Sequence, residues 1–439
     1  MKDVAEKNRD ILIQGFGLER GLLEVADEIQ SEVHRSQERI LGIASYNQAR
    51  VLRAFRNHRV SDSHFAGTTG YGYHDEGRDV LERVAAEILA GEEALYRPHF
   101  ASGTHAISCV LFGILRPGDV LLAATGPPYD TLVPVIGARH PVQGSLADWG
   151  IGYKEASFPE SKNLDPDRIA SLLTPETRVA FVQRSCGYSQ RRSLSISQIR
   201  ALSEALHKAR PDLIVFVDNC YGEFVEIEEP LEAGADIVAG SLIKNPGGTL
   251  APTGGYVAGR ASLVKLAASR LTAPGIGEKV GATPGNLRSL FQGLFMAPTL
   301  IKESLLGMEF ASAIFKRLGF PVKPEPGDVR ADIIQEISLG SRAALLAFCN
   351  GFQRASPVYS HAIPEPALTP GYGDEIIMAG GTFVQGSSSE LSADAPLREP
   401  YSVFLQGGFS SHHTQIAVLC GVQELIREGH IPALFSCRD

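Results

Sequence analysis

Residues Asp236 to Gly248 read DIVAGSLIKNPGG. An apolar run ends in the small residues Gly240 and Ser241, reaches Lys244, and breaks at a proline and two glycines. A lysine stem tolerates burial, but its ammonium does not unless something pairs with it. A short apolar run closed by turn residues predicts a buried strand. The stretch therefore predicts a strand that delivers one lysine to its end and then turns sharply.

Similar runs flank it on both sides. EALYRPHF, DVLLAAT, RVAFVQRS, LIVFVDN and GGYVAG are short and apolar, and amphipathic stretches such as SISQIRALSEALHKA lie between several of them. This alternation predicts crossover units: a mainly parallel sheet with helices on both faces, the three-layer α/β class. Upstream, Glu19 to Arg59 carries apolar residues at three- and four-residue steps (Leu22, Leu23, Ala26, Ile29, Val33), which predicts helix. The glycine- and aromatic-rich HFAGTTGYGYHDEGRD that follows predicts a loop. Downstream, helix returns near Thr299 to Leu318, GFPVKPEPGDVR marks a connector, and ADIIQEISL, EIIMAGGTFVQ and YSVFLQGGF predict a smaller α+β domain. The expected organisation is a helical arm (1–60), a large domain (61–300) and a small C-terminal domain (301–439).

Bulk properties narrow the function. A chain of 439 residues exceeds one ordinary core. It is 44% hydrophobic and 21% charged, ordinary for a globular protein. A net charge of -9 without a basic tract argues against nucleic acid or an anionic membrane surface as partner. No apolar run approaches the ~20 residues of a membrane span. The start, MKDVAEKNRDILIQGFG, lacks a signal-peptide core. The six cysteines, Cys109, Cys186, Cys220, Cys349, Cys420 and Cys437, show no CxxC spacing, so neither zinc nor a disulfide framework is expected. A reduced, cytoplasmic protein without a metal is the expectation.

In an open parallel sheet, ligands gather beyond the carboxyl ends of the strands. Asp218 follows LIVFV; Ser241 and Lys244 follow DIVAG; Ser102, Gly103 and Thr104 follow YRPHFA and enter an apolar helix; Tyr129 follows DVLLAAT. A helix start with hydroxyls suits a phosphate, and Ser241 adds another hydroxyl. A strand-end aspartate can hold a protonated pyridine nitrogen, a lysine can form a Schiff base with an aldehyde, and a tyrosine can cover a ring face. Phosphate, pyridinium and aldehyde together describe pyridoxal 5'-phosphate.

The same residues resemble those of fold-type-I pyridoxal-phosphate enzymes, in particular the cysteine and methionine metabolism lyases. There a small-residue phosphate loop precedes a stacking tyrosine, an aspartate precedes the lysine, and a serine stands three positions before it; Thr104, Tyr129, Asp218, Ser241 and Lys244 follow that order. TGYGYHDEGRD, FVDNCYGEF, GSLIKNPGG, MAGGTFVQG and LREPYSVFLQGG look like the group known as methionine gamma-lyase-like or aluminium resistance proteins, including proposed cystathionine beta-lyases. The resemblance runs from about Arg59 to the C-terminus. It implies a pyridoxal-phosphate-dependent carbon–sulfur lyase acting on a sulfur-containing amino acid by α,β- or α,γ-elimination. Lys244 is then the imine lysine and general base, and Tyr129 assists the leaving group. It also implies a homodimer or homotetramer with sites at the dimer interface, where Tyr71 or Tyr73 enters the partner's site.

The chain also departs from that group. No arginine stands at the Tyr-x-Arg position after Tyr71, and Arg78 is the substitute considered. QRSCGY (Gln183 to Tyr188) replaces an asparagine motif. Arg398 is the candidate for the substrate carboxylate, with Arg184 the runner-up, because an arginine fork binds both oxygens. Adjacent His412 and His413 lack metal partners, GFGLERG lacks the strand of a dinucleotide loop, and Cys220 reads as a packed small residue. Two alternatives stand beside the lyase: another pyridoxal-phosphate reaction, such as aminotransfer or γ-replacement, and a pyridoxal-phosphate-binding protein with a regulatory or metal-tolerance role.

Overall fold

A computed structural model describes residues 2–140, 142–157, 164–189, 191–368 and 373–432; Cys437 lies outside them. The chain divides into two compact units, Ile43–Thr299 and a second made of Met1–Gly42 with Leu300–Asp439. Leu22, Leu23, Ala26 and Ile29, on the helix Arg20–Glu32, join Ile314 and Phe315 in the core of the second unit. An amphipathic helix must bury its apolar stripe somewhere. The next helix, His34–Asn57, carries the chain into the first unit, where Asn47 Nδ2 donates to the carbonyls of Phe224 and Glu226 (both 3.0 Å).

The first unit holds a seven-stranded sheet: β1 (Glu93–Arg97), β2 (Val120–Ala123), β3 (Gly152–Glu155), β4 (Thr177–Gln183), β5 (Ile214–Asp218), β6 (Ile237–Ser241) and β7 (Gly255–Gly259). Their order is β1-β7-β6-β5-β4-β2-β3. β7 runs antiparallel to both neighbours, and the pairs from β6 to β3 are parallel. Phe181, Ile214, Phe216, Ile237 and Val257 share one core with Ile107, Val110 and Leu111 of the helix Gly103–Ile114 and with Val264 and Ala267 of the helix Ala261–Leu271. The alternate residues Val182, Val215, Val217 and Val238 point the other way and are equally buried. Side chains alternate along a strand, so both faces are covered, which is why these strands read as unbroken apolar runs.

The second unit carries six strands, β8 (Val322–Lys323), β9 (Gln335–Ser338), β10 (Ala367–Leu368), β11 (Glu375–Ala379), β12 (Ser392–Pro396) and β13 (Ser402–Gln406), in the order β10-β11-β12-β13-β9-β8. All pairs are antiparallel. The helices Arg342–Gln353 and Ser411–Arg427 pack closely because Gly351 and Gly421 leave room: a side chain on either would strike Cys420 or Phe348. Among the described residues no helix is long and apolar enough to cross a membrane.

Candidate active site

In-register pairing of Gln183 with Asp218, and of Asp218 with Ala239, sets the carboxyl ends of β4, β5 and β6 side by side. Ser241 pairs with Gly255 across β6 and β7, so the chain must reverse between them. The return begins with an extended Lys244 and one 3-10 turn, Asn245–Gly247. Asn245 Nδ2 donates to the Glu223 carbonyl (3.0 Å), and the Tyr96 hydroxyl donates to that of Pro246 (2.8 Å). A side chain on Gly247 would strike the Leu242 carbonyl, and one on Gly248 the Gly293 carbonyl. These contacts account for the NPGG that follows the lysine.

Fixed this way, Lys244 Nζ stands 3.9 Å from the centroid of the Tyr221 ring, a cation–π contact. Burial by itself lowers the lysine's pKa, but its surroundings, the Asp218 carboxylate among them, reverse the effect and carry it above its ordinary value. Asp218 is buried, and its Oδ1 accepts from the Cys220 N–H (3.1 Å). Burial first, then the Asp218 carboxylate, push the Cys220 thiol well up, so it is a neutral packed group and not a nucleophile.

The helix Gly103–Ile114 begins beside β6. Ser102 caps it, its Oγ accepting from the His105 N–H (3.1 Å). Thr104 Oγ1 shares a hydrogen bond with Thr131 Oγ1 (2.8 Å). A Cβ on Gly103 would lie 2.9 Å from Ser241 Cβ, so the helix start and Ser241 form one small cradle.

Tyr129 is half-buried, and its backbone N–H donates to Gln183 Oε1 (2.7 Å). Gln183 Nε2 donates in turn to the Ser185 carbonyl (3.1 Å). Gly187, with φ at 58°, faces the Tyr129 ring, where a Cβ would lie 3.1 Å from Cδ2. Gln183 is thus a candidate site residue that sequence reasoning met only as a departure. Its place at the end of β4, level with Asp218, was the signal available.

The arginines and loop tyrosines differ in what they offer. Arg184 is fully buried: Nη1 donates to Asn219 Oδ1 (2.8 Å), Nη2 to Glu226 Oε1 (2.9 Å), and Glu229 lies 3.9 Å away. Its fork is engaged by the protein itself. Arg398 is exposed in the second unit and pairs with Asp374 (2.9 Å). Tyr71 and Tyr73 are 73% and 59% exposed, with ring centroids 5.6 Å apart. Arg78 is buried and donates to the carbonyls of Gly72 and Gly281 (both 2.9 Å), so it fastens the tyrosine loop. Among the described residues no group of three His, Cys, Asp or Glu is placed to hold a metal.

Known proteins carry the same framework. The family model described as methionine gamma-lyase matches residues 22–426. A solved structure from Listeria monocytogenes, a proposed cystathionine beta-lyase involved in aluminium resistance, is 48% identical with a TM-score of 0.89, covering 92% of this chain and 99% of its own. A carbon–sulfur lyase involved in aluminium resistance from Clostridium novyi is 42% identical with a TM-score of 0.90, covering 94% and 98%. Protein YnbB of Bacillus subtilis is 46% identical over 408 residues, 93% of this chain and 97% of its own. Both units fall inside these matches, the large one with the mainly parallel sheet of fold-type-I enzymes. The chain belongs to the methionine gamma-lyase family, enzymes of carbon–sulfur lysis that in general depend on pyridoxal phosphate.

Proposed function

We propose that this chain binds pyridoxal 5'-phosphate through Lys244 and eliminates a sulfur-bearing group from an amino acid, consuming one water and releasing a thiol, ammonia and a 2-oxo acid. One observation carries the reading. An acid at the end of β5, a lysine after β6, and a hydroxyl-lined cradle too tight for a Cβ at Gly103 surround the same strand ends. This donor set fits the cofactor. Ser102, Gly103, Thr104 and Ser241 would hold the phosphate, with the helix N-terminus favouring its negative charge. Asp218 would hold a proton on the ring nitrogen, Tyr129 would lie against the ring, and Lys244 would bind the aldehyde carbon. When bound, the cofactor draws off the charge left on the substrate Cα as its proton departs.

The chain's own residues do the rest. Lys244, which would lose its charge on binding the aldehyde carbon, takes the proton from Cα as a neutral amine, with the Tyr221 ring beside its Nζ. Tyr129, held at its backbone by Gln183, supplies a proton to the departing sulfur. Arg398 receives the substrate carboxylate. Tyr71 and Tyr73, exposed and fastened by Arg78, reach the site of a second copy in a homodimer or homotetramer. The test is release of thiol and 2-oxo acid from sulfur amino acids by the purified protein. Thiol release that requires an added 2-oxo acid acceptor, or no release with any sulfur amino acid, would overturn it.

A further inference from the structure

Glu223 is fully buried beneath the turn that follows Lys244. Its Oε1 accepts one hydrogen bond, from the Tyr256 hydroxyl (2.7 Å). Its Oε2 is buried with no partner among the described residues. Its own main-chain carbonyl holds Asn245 Nδ2, the residue next to Lys244. Gly240 opens the space: a Cβ there would lie 2.6 Å from Tyr256 Cε1 and 2.9 Å from Glu223 Oε1. Tyr256 and Tyr96 pair across β7 and β1, and the Tyr96 hydroxyl holds the same turn at Pro246. The carboxyl and the two tyrosines therefore form one buried support for the lysine turn.

We propose that Glu223 is a positioning residue for Lys244 and works as a neutral carboxylic acid. An ionised carboxylate this deep, helped by the Tyr256 hydroxyl and its own backbone N–H but with Oε2 unmet, would be disfavoured. A neutral acid asks less of its surroundings and accepts the Tyr256 hydrogen bond as well. The charged and titratable groups facing it are Tyr256 and Tyr96 on the strands, Cys220 and Glu229 from the segment after β5, and Lys244 itself. Only Lys244 among them brings positive charge, and Glu229 opposes ionisation. Burial first among these causes pushes the Glu223 pKa up to about 8. Because the folded value is raised, the stabilisation is full below the ordinary glutamate range and fades as pH climbs toward 8.

The test compares the wild-type holoenzyme with Glu223→Gln and Glu223→Ala. Thermal midpoints are followed from pH 5 to pH 9, an arm that needs no cofactor chemistry. Glu223→Gln is expected to match the wild type near pH 5 and to exceed it increasingly as pH rises. Curves that stay parallel, or a Gln variant weakened most at high pH, would overturn the neutral acid. The second arm rests on the lyase reading. At pH 7, Glu223→Ala is expected to lower kcat about tenfold with KM nearly constant, the scale of one lost hydrogen bond, and Glu223→Gln to restore most of it. Equal kcat in the wild type and Glu223→Ala would overturn the positioning role. If the wild type itself releases no thiol, the lyase reading fails while the midpoint curves still decide the charge of Glu223.

Discussion

Gly103 and Ser241 meet with no room for another carbon, since a Cβ on residue 103 would lie 2.9 Å from Ser241 Cβ. The nearest atom belongs to the stem of a buried strand-end residue, which cannot swing aside as a long side chain would. Gly103→Ala is therefore expected to weaken pyridoxal phosphate binding about tenfold, or ~1.4 kcal/mol. An absorbance titration of the cofactor-free protein measures this. Binding as tight as the wild type would mean that the phosphate sits elsewhere.

The Tyr129–Gln183 bond makes a second prediction. Gln183→Leu leaves the Tyr129 N–H without its acceptor in a half-buried place, a cost of ~1–3 kcal/mol. The expected result is a kcat at least tenfold lower, with a thermal midpoint lowered by a few degrees. Gln183→Glu keeps an acceptor but loses the donor to Ser185, so its kcat should lie between the two. A Leu variant as fast as the wild type would remove Gln183 from the site.

The strand ends were legible because β4, β5 and β6 are buried on both faces, so each apolar run stops where its polar residue begins. β3 was not, because it is an exposed edge strand reading GYKE. β12 reads SADAP and carries no apolar run at all. The helix Lys2–Phe16 was missed for a related reason: Val4 and Ile11 are exposed and only Leu12 and Ile13 pack against the core, too few to mark an apolar stripe. Gln183 and Glu223 illustrate the limit within the site. A polar side chain's role depends on its partners, and Tyr129, Tyr256 and Asn245 come from distant parts of the chain.

Arg184 and Arg398 should part company when each is replaced by alanine. Removing Arg184 leaves Glu226 without its cation, while Glu229 keeps Arg50 at 3.3 Å, and breaking a buried pair typically costs ~3–5 kcal/mol. A large drop in thermal midpoint is expected, and lysine should not rescue it because it lacks the fork. Arg398→Ala removes an exposed pair with Asp374 worth no more than ~1 kcal/mol. Stability should hold while KM for the amino acid rises. A normal KM in Arg398→Ala would assign the carboxylate to another residue.

Asp75 controls the loop that displays Tyr71 and Tyr73. Burial works against its charge, but donation from Thr283 and Thr68 (both 2.6 Å), the Arg78 N–H and the Arg78 guanidinium hold its pKa below the ordinary aspartate value. A lowered folded pKa means stabilisation that is present above the ordinary range and lost as pH falls through the folded value. Below about pH 4 the loop should lose hydrogen-exchange protection. Asp75→Asn should remove that acid dependence, and an identical acid profile in the variant would contradict the role.

The most direct measurement concerns Lys244 itself. The purified protein is reduced with borohydride, digested, and its peptides are weighed by mass spectrometry. The expected result is a pyridoxal-phosphate increment on the peptide containing Lys244, absent from Lys244→Ala. An increment on a different lysine, or none on any, would contradict the assignment of the strand-end lysine as the cofactor's anchor.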